Sequence, residues 1–74
     1  NNDQKLLALE DFNKAILLDP DFAIAYRNRG ILHLSEGSLN QGVADLQKSL
    51  VLYDAAGDMV KADDVRRMLA DALR

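Results

Sequence analysis

Along the first stretch of the chain, apolar residues fall at Leu6, Leu9, Phe12, Ile16 and Leu17, a spacing that keeps them on one side of a helix. The pattern predicts a first helix over residues 3–18. Pro20 closes it, because a proline disfavours helical geometry in the residue before it, and Asp21 is placed to cap the next helix with a side-chain oxygen. A second helix is expected over 22–35, with Phe22, Ala25, Tyr26, Gly30, His33 and Leu34 along its packing side and Gly37 at its end. Ser38 followed by Gln41 reads as a capping box that opens a third helix. Leu39, Val43, Leu46, Leu50 and Tyr53 make that helix's buried stripe, and it runs to Ala56. Gly57 and Asp58 are a stop and a fresh cap, after which Met59, Ala62, Val65, Leu69, Ala72 and Leu73 recur at helical spacing. On the polar side of this last helix, Asp63 with Arg67 and Asp71 with Arg74 are placed to pair. No segment alternates as a strand does. Short connections force consecutive helices to run antiparallel, so the expected fold is all-α: four helices in stacked antiparallel hairpins.

The chain also repeats itself at an offset of 34 residues. Asp11, Lys14 and Leu18 return as Asp45, Lys48 and Leu52, and Leu9, Phe12, Ile16 and Leu17 as Val43, Leu46, Leu50 and Val51. A fixed period of this length marks a stacked-repeat architecture, in which each unit buries its apolar face against a neighbour.

Composition narrows the choice of function. The chain has 74 residues, and at that size a single core supplies only about 3 to 5 kcal/mol of net stability. It has no cysteine, so neither a disulfide framework nor a thiolate metal site is available, which fits a reducing compartment and suggests the cytoplasm. Apolar runs are far shorter than the roughly 20 residues a membrane-spanning helix needs, so no membrane partner is expected. The net charge of −3, with no basic strip among the aromatic residues, argues against nucleic acid.

In these residues the chain resembles the tetratricopeptide repeat. Tyr26, Gly30 and His33 hold the first-helix spacing of that family, and Leu46 stands at the second-helix aromatic. Ala8, Phe12, Ala15 and Pro20 match the second half of a preceding unit, and the run from Tyr26 to Gly30 after Asp19 and Pro20 is similar to the family's. Gly42 and Ser49 replace alanines, and Asp54 replaces the closing proline. The resemblance implies a fragment of an α-solenoid in one domain: 3–20 as the second helix of a partial repeat, 22–54 as a complete repeat, and 58–74 as a C-terminal capping helix. Since about three repeats are ordinarily needed for stability, the chain is expected to be an excerpt of a longer array or to cover its first helix with a second copy. Leu6, Leu9 and Ile16 are the residues expected at such a self-association contact.

The same resemblance implies a scaffold that binds proteins through a groove lined by first helices. Carried over residue by residue, the groove positions are Ile24, Arg27, Asn28, Ile31, Leu34 and Ser35. An asparagine amide both donates and accepts, and a guanidinium forks onto a carboxylate, so Arg27 and Asn28 are read either as holding a protein or peptide partner that is acidic or C-terminal or as a solvated pair on an exposed helix face. No chemistry beyond binding is expected. His33, the lone histidine, sits where the family packs an aromatic and is expected as structural filler. Asp63 and Asp64 point about 100° apart on a helix and cannot converge on an ion, so no metal, no cofactor and no enzymatic role are expected.

Overall fold

The computed structural model describes residues 2–74, which form four helices: α1 (Asn2–Leu18), α2 (Ala23–Ser35), α3 (Leu39–Ala55) and α4 (Met59–Ala72). No strand occurs among the described residues. The helices pack in chain order, α1 on α2, α2 on α3 and α3 on α4, so each loop closes an antiparallel neighbour.

The turns are local chemistry. After both α2 and α3 a glycine adopts positive φ, Gly37 at 81° and Gly57 at 74°. The amides that follow fold back onto the finished helix. Gly37 donates to Leu34 O and Ser38 to His33 O, and likewise Gly57 to Asp54 O and Asp58 to Tyr53 O, which satisfies the last carbonyls of each helix. Asp58 then caps α4 as the sequence predicts, its carboxylate accepting from the Lys61 amide at 3.3 Å.

Two predicted caps do not form. Ser38 occupies the cap position of α3 but makes no side-chain cap bond. Its backbone (φ −87°, ψ 71°) is close to that of Asp58 (φ −86°, ψ 80°), and there only the longer carboxylate reaches the amide. At α2 the cap residue is Phe22 rather than Asp21, again without a side-chain bond. The Asp21 amide instead donates to Asp19 Oδ1 at 3.2 Å, tightening the turn around Pro20.

Leu46, Tyr53, Ala62, Val65 and Leu69 form the buried core between α3 and α4, and Ala23, Leu34, Val43, Leu50 and Met68 pack against it. Several residues predicted to be buried lie outside it. Leu39, Met59 and Leu73, at helix ends where no neighbouring helix reaches, are about half exposed or more, and Phe22 is 40% exposed. Leu6, expected on the open face of the first helix, and Leu17 are exposed, because α1 packs chiefly on α2. The predicted pair of Asp63 with Arg67 is also re-sorted. Asp63 takes Arg66 at 2.7 Å, and Arg67 takes Asp64 at 3.2 Å, whereas Asp71 with Arg74 forms as expected at 3.0 Å.

Helices α2 and α3 meet backbone to backbone. A Cβ on Gly30 would stand 3.0 Å from the carbonyl oxygen of Gly42, 3.1 Å from Leu46 Cγ and 3.2 Å from Asp45 Cβ. A Cβ on Gly42 would reach 2.6 Å from Leu34 Cγ, so the alanine that resemblance favours there has no room. An alanine at Gly30 would gain about 1 kcal/mol of helix propensity. The carbonyl it meets is part of a helix and cannot step aside, so Gly30→Ala is expected to lower stability by about 1–3 kcal/mol in urea unfolding followed by circular dichroism. A variant as stable as the parent would show that the crossing is not close-packed.

Candidate functional site

Residues on opposite sides of α2 line two clefts, since positions 27 and 28 and positions 29 and 33 point nearly half a turn apart. One cleft, of about 330 Å³, lies between α2 and α4. Ile24, Arg27 and Asn28 form its α2 wall, Lys61 and Asp64 its α4 wall, and the buried Tyr53 of α3 its floor. The Lys61 ammonium stands 5.9 Å from the centre of the Tyr53 ring and 3.5 Å from Asp58. Asp64 is held by Arg67. Arg27 donates to Asn28 Oδ1 at 3.3 Å, a long hydrogen bond to its sequence neighbour.

Of the groove residues read from the sequence, Ile24, Arg27 and Asn28 are brought together here. Ile31 lies along the same side of α2 and is 39% exposed. Ser35 is exposed, and its hydroxyl donates to Leu32 O at 2.7 Å within its own helix. Leu34 is a correction. It is half-buried, packs against the core and presses on Gly42, so it belongs to the helix crossing and not to the groove. The residues expected at a self-association contact divide as well: Leu6 is 58% exposed, while Leu9 and Ile16 are half-buried.

The second cleft, of about 350 Å³, lies between α1 and α3 over α2 and is lined by Leu9, Asn13, Arg29, His33, Gln41, Ala44 and Asp45. Its floor is a polar network that ties three helices together. Arg29 forks onto Asp45 with Nε and Nη2 each at 2.8 Å, and Nη1 donates to Asn13 Oδ1 at 2.9 Å. The guanidinium also lies over the Tyr26 ring, 5.6 Å from its centre, with Lys48 at 5.9 Å from the same ring. The hydrogen bonds that Arg29 donates to Asp45 hold the Arg29 pKa above the ordinary arginine value, aided by the charges of Asp45 and Tyr26 against the opposing pull of burial. On the arginine side the contribution is present below that ordinary value, while the Asp45 carboxylate is ionised, and is lost as pH rises through the raised value. His33 packs alongside, Nε2 3.7 Å from Asp45 Oδ2, where a filler of the interhelical space was expected.

Tyr53, Lys61 and Asp64 were not predicted at a groove, nor Arg29 and Asp45 at an interhelical pair. One signal for Asp45 was present: Gly42, Asp45, Leu46, Ser49 and Tyr53 share the buried spacing of α3, and an acid on that face needs a partner.

These features define a four-helix, all-α stack of antiparallel hairpins with open clefts on alternate sides. Its sequence is similar to that of DnaJ homolog subfamily C member 3 of Mus musculus, 36% identical over 73 aligned residues that cover 89% of this chain and 14% of that protein. The chain thus corresponds to a short segment of a much longer relative. No protein-family model matches the chain, and no solved structure does.

The polar network generates a test of how α2 is fixed to α3. Asp45→Ala leaves a partly buried guanidinium without its carboxylate and is expected to cost about 1–3 kcal/mol in urea unfolding. Asp71→Ala, at an exposed pair, should cost less than about 0.5 kcal/mol. A cycle with Arg29→Met should return most of the Asp45 effect as coupling; two effects that merely add would dissolve the pair as a tie between the helices.

Proposed function

We propose that this chain is a non-catalytic protein-interaction module built of tetratricopeptide-like hairpins, and that the α2–α4 groove receives a peptide or a partner helix. The observation that carries this reading is the combination on α2 of two partly exposed isoleucines, Ile24 and Ile31, with the cleft that Tyr53 floors and α4 closes. Apolar groups beside a few placed polar ones are what a recognition groove requires. The 34-residue internal offset and the glycine-tight crossing of α2 on α3 support the repeat assignment. Likeness to a segment of a DnaJ homolog fits a module carried within a larger chain.

The test uses peptides selected on the folded chain from a random library. Their titration is expected to shift backbone NMR signals of residues 24–31 and 61–64, while those of α1 stay fixed. Selection of no peptide, or shifts confined to α1, would remove the groove from consideration.

A second reading has its own observation. Leu6 and Leu7 are about 60% exposed and Leu17 and Leu18 more so, all on α1, which favours self-association of two copies through that helix. Sedimentation at rising concentration is then expected to show a dimer that Leu6→Glu dissociates. A monomer at every concentration rules this reading out.

A further inference from the structure

Arg27 is the one arginine among the described residues that has no carboxylate partner. Each of the other four is paired: Arg29 with Asp45, Arg66 with Asp54 and Asp63, Arg67 with Asp64, and Arg74 with Asp71. Its single hydrogen bond goes to Asn28 Oδ1, which leaves most of the guanidinium donors uncommitted. Yet Arg27 is not a free surface charge, for it is half-buried in the wall of the α2–α4 cleft. The other charges there are already answered, Lys61 by Asp58 and Asp64 by Arg67. In a chain of net charge −3, the cleft therefore offers one unanswered positive group at close quarters.

Its neighbours say what surrounds the anion that would answer it. Ile24 lies three residues before Arg27 and Ile31 four after, so the two sit on either side of it along the same face of α2. They are 42% and 39% exposed. We infer that the groove, if α2 is the binding face as proposed above, selects a partner segment with an internal Asp or Glu side chain flanked on both sides by aliphatic residues. The carboxylate docks on Arg27, and the aliphatic groups cover Ile24 and Ile31. A terminal carboxylate would leave one of these isoleucines uncovered, because the partner chain stops there. Charge complementarity at a half-buried arginine gives such a contact register as well as attraction.

The test uses a random peptide library displayed with both peptide ends continued into the carrier, so that no free carboxyl terminus is present. Enriched peptides are expected to carry Asp or Glu with Leu, Ile or Val on each side. Arg27→Gln should weaken their binding about tenfold. Arg27→Lys should weaken it less, since the charge stays and only the fork is lost. Arg74→Gln, at an exposed pair outside the cleft, should leave it unchanged, and circular dichroism checks that every variant keeps its helices. Enriched peptides without an acid, or with undiminished affinity for Arg27→Gln, overturn the inference; if they still lose affinity for Ile24→Ala, the groove itself stands. Binding only by peptides with a free carboxyl terminus overturns the internal position. Peptides indifferent to both Arg27→Gln and Ile24→Ala, or no enrichment at all, overturn the inference and the groove together.

Discussion

The close approach of α2 and α3 at Gly30 and Gly42 is the constraint on which the rest depends. Without side chains at these two positions, backbone meets backbone, and Leu34 and Leu46 fit into the space that the missing groups would occupy. That approach also brings Asp45 within reach of Arg29, turning an acid on a buried helical face from a liability into a tie. Asn13 extends the tie to α1, which contributes no residue to the buried core and is held chiefly at this polar junction and by its contact with α2. Packing between α3 and α4 is of another kind, a small apolar cluster around Leu46, Tyr53 and Val65.

These two modes of attachment leave α2 with a different task on each side. Toward α1 it presents Arg29, paired with Asp45, and His33 packed beside the same carboxylate. Away from α1 it presents Ile24, Arg27 and Ile31, which are incompletely engaged. The zigzag of antiparallel helices produces this naturally, because each helix packs on its sequence neighbours and the gap between alternate helices becomes a cleft over the helix between them. Both clefts are by-products of a packing order that does not close into a bundle.

Much of the architecture was legible in the sequence, and for physical reasons. The three-and-four spacing of apolar residues located every helix to within two residues, and Gly37 and Gly57 marked two ends because only positive φ lets the chain fold back there. Caps were less legible: Asp58 and Ser38 have nearly the same backbone, and one bond of side-chain length decided between them. Burial was overestimated where periodicity continued past the neighbouring helix, as at Leu39, Met59 and Leu73. The groove was half visible. Ile24, Arg27 and Asn28 were placed at a groove by the family resemblance, but Tyr53, Lys61 and Asp64 come from helices whose distance from α2 no local pattern encodes. For Leu34 the arithmetic was right in putting it on the packing side, where the missing Cβ of Gly42 opens a socket for it, and only the position carried over from the resemblance put it at the groove.

The glycines of the two turns differ from those of the crossing in a way that bears on chirality. A Cβ at Gly37 or Gly57 would find nothing within 4 Å, so only the sign of φ reserves these sites. Size is the constraint at Gly30 and Gly42; handedness is the constraint at the turns. A mirror-image residue such as D-alanine prefers the positive φ adopted there. It would also restrict the unfolded chain more than glycine does, so both hairpins would tolerate at their bends a kind of monomer that their interiors exclude.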